Sequence, residues 1–174
     1  MQELDDPDTI ASFLAPHGID FAVWGVPDEA GRIAAKERLT DDEKGRMLEL
    51  FKDELEKAAA DQGYVEADVI AIRPDLPGLD EALAKFDKVH YHDDDEVRAI
   101  VGGGGVFGFI LDDGRQLLLA IEAGEYISVP AGMWHWFYCF ENRNITCLRL
   151  FKDTSGWIPH YRSTDRGVPM AVAS

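Results

Sequence analysis

The chain has 174 residues, 46% of them apolar and 29% charged, which suits one globular domain with a sizeable core and excludes wholesale disorder. Thirty-three Asp and Glu against 17 Lys and Arg give a formal charge of −16, which argues against nucleic-acid backbones and anionic membrane surfaces as partners because both would repel it. No apolar run approaches the ~20 residues of a membrane span, and the acidic start lacks the basic segment and apolar stretch of a secretory leader, so a cytoplasmic protein is expected.

One domain over 1–174 is expected, with a mostly helical segment at 1–63, a β-barrel at 64–160 and a tail at 161–174. Asp6-Pro7 caps and opens a short helix through Ile10, Phe13 and Leu14 that stops near Gly18. Thr40-Asp41-Asp42-Glu43 is a capping box. The long helix after it carries Met47, Leu48, Phe51, Leu55 and Ala58-Ala59 on one face, and Gly63 closes it. Val69-Ile70-Ala71-Ile72 is a β-type run ended by Pro74, and a second short helix is expected over 79–86.

Beyond that point the period becomes two. Strands are expected at 88–92, 96–101, 106–111, 116–121, 126–129, 135–140 and 145–151. Turn signals separate them at 102–105, 112–114, 123–124, 130–132 and 141–142. Short strands at near-regular spacing argue for a mainly β fold, an antiparallel barrel or jelly roll with the N-terminal helices packed on it.

His90-Tyr91-His92 places two imidazoles on one strand face, and Glu96 shares their parity if the strand resumes after Asp93-Asp94-Asp95. His135 follows Pro130-Ala131-Gly132, on a strand that can lie opposite. Three imidazoles and one carboxylate suit a divalent transition metal such as Fe, Ni, Zn, Mn or Cu. The bland alternative, His-x-His as strand filler, loses ground once Glu96 and His135 are added. Other chemistries fare worse. Gly103-Gly104-Gly105-Val106-Phe107-Gly108 satisfies G-x-G-x-x-G, but a strand follows where a nucleotide-binding loop needs a helix, so a β-turn is expected there. The acidic run 93–95 lacks the glycine and terminal Glu of a calcium loop. His17 and His160 fall outside the barrel strands and read as solvated or structural; Cys139 and Cys147 read as reduced thiols.

The strings Val89-His90-Tyr91-His92-Asp93-Asp94-Asp95-Glu96-Val97-Arg98, Gly105-Val106-Phe107-Gly108-Phe109, Ile127-Ser128-Val129-Pro130-Ala131-Gly132 and His135-Trp136-Phe137 resemble the acireductone dioxygenases of the cupin superfamily. Arg149-Leu150-Phe151 and Gly156-Trp157-Ile158 fit as well, so the resemblance covers about 65–160. It implies a cupin-type fold and a methionine-salvage enzyme that cleaves 1,2-dihydroxy-5-(methylthio)pent-1-en-3-one with O₂. With Fe(II) the products would be 4-methylthio-2-oxobutanoate and formate; with Ni(II), 3-methylthiopropanoate, formate and carbon monoxide. The implied ligands of one Fe(II) or Ni(II) per chain are His90, His92, Glu96 and His135, with Arg98 forming or holding the substrate dianion. Phe86, Phe137 and Trp157 would wall the substrate pocket; Val89 and Asp95 would serve metal incorporation or conformational coupling. Met133-Trp134 is bulkier than the family's usual pair and would narrow that pocket. A monomer is expected. Two other readings remain: another cupin dioxygenase or isomerase, and a non-catalytic cupin that binds a metal or small molecule.

Overall fold

A computed structural model describes residues 3–153 and 157–162, so Gly156 and residues 163–174 of the expected tail lie outside it. Asp6 accepts from the Thr9 N–H at 2.8 Å, and Pro7 opens α1 (Pro7–Leu14). A 3-10 turn, Ala15–His17, ends at Gly18 with φ 77°. Two elements too short to carry a clear period follow, β1 (Asp20–Val23) and α2 (Asp28–Ala34). The Thr40–Glu43 capping box forms as expected. The long helix behind it, however, is two: α3 (Asp41–Leu50) and α4 (Lys52–Gln62). The break falls at Phe51, with φ −107° and ψ 18°, whose ring is 1% exposed. Leaving the helix at that one residue seats the ring in the core beside Trp24 while α4 continues along the sheet.

The remaining elements are β2 (Glu66–Ile72), α5 (Leu79–Phe86), β3 (His90–His92), β4 (Glu96–Ile110), β5 (Gln116–Glu122), β6 (Glu125–Val129), β7 (His135–Cys139), β8 (Ile145–Phe151) and β9 (Pro159–Tyr161). All the strand pairings described are antiparallel. The first half of β4 lies between β6 and β8, with β1 and β2 beyond them. Its second half lies between β5 and β7, with β3 and β9 beyond β7. One strand thus belongs to both walls of an antiparallel half-barrel, the cupin-type architecture expected. Among the described residues no helix is long and apolar enough to cross a membrane.

The glycine run is where the expectation fails. Residues 102–105 do not turn; they lie within the 15-residue strand β4. Pairing steps from Ile100 opposite Cys147 to Gly102 opposite Thr146, so β4 carries one extra residue, a bulge. The bulge reverses the inward parity. Ile100 points into the barrel core, and after it Phe107 and Phe109 do, while Val97, Ala99 and Val101 face the helices. Glycine is required for contact as well as for bending. A Cβ on Gly103, whose φ is 67°, would sit 1.7 Å from the Asn144 carbonyl oxygen, and one on Gly108 would sit 2.0 Å from the Trp136 ring.

Two cores result. The barrel interior gathers Leu14, Ile19, Phe21, Ile100, Phe107 and Phe109 with their neighbours. The second core joins α2, α3 and α4 (Ala30, Ile33, Met47, Phe51, Ala58) to the outer face of β4 and β8 (Val97, Ala99, Leu148, Leu150). The N-terminal helices pack on the barrel, as expected. Arg73 sits 5% exposed between these layers, donating to the carbonyl oxygens of Ala34, Lys36, Ile72 and Ile145. It caps the carbonyl end of α2.

Candidate metal centre

Strand β3 carries His90 and His92 inward, and the acidic turn 93–95 returns the chain so that β4 begins at Glu96. His135 does not come from across the barrel. It lies on β7, the neighbour of β3, in direct register with His90. The donor atoms of His90, His92, Glu96 and His135 lie within 4.8 Å of one another, and all four residues are buried.

Each ring is held by its outer nitrogen. Nδ1 of His90 donates to Lys88 O at 2.6 Å, Nδ1 of His135 to Met133 O at 2.8 Å, and Nδ1 of His92 to Ile158 O at 3.2 Å. A carbonyl oxygen only accepts, so Nδ1 carries a proton in each ring and Nε2 is the atom turned into the cluster. Nε2 of His92 and of His135 stand 3.0 and 2.9 Å from Glu96 Oε2. Two donors in cis at ~2.1 Å from one ion are about 3.0 Å apart. The spacing fits a six-coordinate divalent cation.

Electrostatics point the same way. Burial pushes the His90 pKa down to about 4, and the neighbouring His135 adds to this, so the ring stays neutral at physiological pH. Burial alone would raise the Glu96 carboxyl, but Arg98 beside it, with His135 and His92, holds it well below the usual carboxylate range. Arg98 Nε donates to Glu96 Oε1 at 2.7 Å, and its Nη1 reaches Cys147 Sγ at 3.6 Å. The guanidinium stays charged.

A cavity of about 460 Å³ opens over the cluster. Phe86 and Trp157 line it; Phe137 does not. Phe137 is 8% exposed and belongs to the barrel core, its ring 4.9 Å from Phe107, because Gly105 leaves the space it fills. Nor do Met133 and Trp134 narrow the cavity: Trp134 turns outward and packs edge-on against Tyr91. Val89 is buried, and its carbonyl accepts from Arg162 N–H at 2.9 Å. Asp95 binds Ala131 N–H at 3.0 Å and Lys152 Nζ at 2.7 Å, so it ties the acidic turn to the loop that delivers His135. His160 pairs with Asp93 at 2.8 Å and stacks on Tyr91, outside the cluster; both cysteines are free. Sequence reading missed Asp68 and Arg149 on the cavity wall. The available signal was parity: Arg149 alternates with Leu148 and Leu150, which face the helices.

The model of the ARD/ARD' family matches residues 7–159. The acireductone dioxygenase of Leptospira interrogans serogroup Icterohaemorrhagiae serovar copenhageni is 44% identical over 158 residues, 91% of this chain and 89% of its own. That of Microcystis aeruginosa is 41% identical over 161 residues, 92% of this chain and 88% of its own. Among solved structures, acireductone dioxygenase from Bacillus anthracis, with a cadmium ion in its active center, superposes with a TM-score of 0.84 at 34% identity, covering 91% of either chain. At these identities, and with both members of each pair covered almost throughout, the chain belongs to the ARD/ARD' family, that of the acireductone dioxygenases.

Proposed function

We propose that the protein is a metal-dependent dioxygenase that cleaves acireductone with O₂, and that His90, His92, Glu96 and His135 hold one divalent ion through three Nε2 atoms and a carboxylate oxygen. The observation that carries this is the donor cluster itself: four buried groups within 4.8 Å, each imidazole fixed by a backbone carbonyl. A bound ion would supply Lewis acidity and a template for the vicinal oxygens of the substrate. The nitrogen-rich donor set with one carboxylate suits Fe(II) and Ni(II). The cadmium ion in the active center of the Bacillus anthracis relative supports a divalent cation at the matching place.

The chain's own groups do the rest. Arg98, 8% exposed and charged, holds an anionic substrate oxygen beside Glu96 and so favours the ionised enediol. Trp157 and Phe86 exclude water from the apolar tail. Asp95 keeps the His135 loop in place when the cavity fills. The metal selects the cleavage: 4-methylthio-2-oxobutanoate and formate with Fe(II), 3-methylthiopropanoate, formate and carbon monoxide with Ni(II). The test is to strip the protein, reload each metal separately, supply acireductone and O₂, and measure keto acid and carbon monoxide. Different products support metal control; identical products place control in the cavity; no turnover with either rejects the enzyme in favour of a non-catalytic cupin.

A further inference from the structure

Strand register sets Arg98 of β4 directly opposite Arg149 of β8. Like charges in direct opposition across an antiparallel pair repel, so the arrangement needs a reason. Both side chains line the cavity. Each has its own carboxylate: Glu96 for Arg98, and for Arg149 its register partner Asp68 on β2, which accepts from Nε at 2.8 Å and Nη2 at 2.5 Å. The Trp157 indole takes both cations on its ring, with Arg98 Cζ at 4.9 Å and Arg149 Cζ at 5.6 Å. One wall therefore reads Asp68, Arg149, Arg98, Glu96: an anion at each end and two cations in the middle.

The donor inventory sharpens the point. Asp68 takes Nε and Nη2 of Arg149, which leaves Nη1 without a protein partner among the described residues. Arg98 uses Nε and Nη1, which leaves Nη2 in the same position. Two guanidinium edges on one cavity wall are thus open to an anion. Acireductone bears oxygens on three adjacent carbons, and one guanidinium already shared with Glu96 does not satisfy them all. We propose that Arg149 is a second anion-binding residue of this site, taking a substrate oxygen beside Arg98. This rests on the function proposed above. Asp68 then has a double effect: it keeps Arg149 ordered in the empty cavity, and it competes with the substrate for it.

The competition gives the test its sign. The protein is loaded with redox-inert Zn(II), and oxalate, a planar dianion with vicinal oxygens, is titrated by calorimetry into wild type, Arg149→Met, Arg149→Lys and Asp68→Asn. Arg149→Met should weaken oxalate about ten-fold, the low end for a charge-assisted hydrogen bond in a half-exposed position. Arg149→Lys should fall between, keeping the charge without the fork. Asp68→Asn should tighten binding, because the competing carboxylate is gone. Zinc content should not change, and KM for acireductone on Fe(II) protein should follow the same order. If the pair only ties β2 to β8, Asp68→Asn and Arg149→Met lower thermal stability alike and shift oxalate affinity together or not at all, which overturns the inference. Should Arg149→Met fail to fold, the opposed directions of Arg149→Lys and Asp68→Asn decide it. Oxalate binding that depends on Arg149 in a protein with no acireductone turnover would keep the anion site and reject the function.

Discussion

Replacing Arg98 with Met should destabilise the metal-free protein far more than the metal-loaded one. The side chain is 8% exposed, and its Nε is 2.7 Å from the Glu96 carboxylate, which is itself 4% exposed. Removing one partner of such a pair leaves a buried charge uncompensated, at a cost of about 3–5 kcal/mol. Glu96 keeps His92 and His135 at 3.0 and 2.9 Å, so the low end, ~3 kcal/mol, applies here. A divalent ion on the same carboxylate takes over the compensation. The loss then shrinks to one charge-assisted hydrogen bond, about 1 kcal/mol after the methionine fills the space. The difference of ~2 kcal/mol must reappear as metal bound roughly 30-fold more tightly by the variant, since coupling is reciprocal. In thermal denaturation, ~3 kcal/mol corresponds to about 6–12 °C for a chain of this size, and ~1 kcal/mol to about 2–4 °C. Wild type and Arg98→Met, each stripped and zinc-loaded, give the four melting curves required. Equal shifts with and without zinc would refute the reasoning, because Arg98 and the ion would not be acting on the same carboxylate.

Removing one imidazole by His92→Ala or His135→Ala should cost several kcal/mol of metal binding, and elemental analysis after dialysis should show the loss; full metal content in both variants contradicts the ligand set. Gly103→Ala should cost about 3 kcal/mol or more in urea denaturation, from the left-handed conformation and the collision with Asn144, whereas Gly114→Ala, with φ 83° and open space around it, should cost about 1 kcal/mol. Equal costs would mean that the glycine run is a free turn after all. Stripped protein should lose stability as pH falls from about 6.5 towards 4. The folded pKa of His90, about 4, lies below the ~6.5 of the unfolded chain, so the folded state binds fewer protons across that window; the full effect is roughly 3 kcal/mol. The acid slope should flatten in His90→Asn, and an identical slope would remove His90 as its cause.

The metal cluster was legible because strand parity is a local rule. His90, His92 and Glu96 are close in sequence, and only the resumption of the strand at Glu96 had to be assumed. The position of His135 was legible as to strand but not as to neighbour, because pairing between β3 and β7 depends on chain far from either. The glycine run misled for a plain reason. Glycine marks turns and close approaches equally well, and the groups that demand it here (Asn144, Phe137, Trp136) lie 28 to 41 residues further along the chain. The bulge follows from the same distant contacts, and it is what brings Ile100 and Phe107 into one interior despite their opposite parity. The resemblance implies Phe137 as a pocket wall, but the space that Gly105 leaves draws its ring into the core.

The three ring anchors differ in how far the chain must travel to supply them. His90 and His135 lean on carbonyls two residues upstream, whereas His92 leans on Ile158, 66 residues downstream, next to the three-residue edge strand β9. Fraying of that edge therefore frees one imidazole to swing while two stay aimed. An ion held there should exchange faster wherever β9 opens more readily. A substitution in β9 that loosens the strand should shorten the lifetime of a bound ion while leaving the other two imidazoles aimed at the cluster.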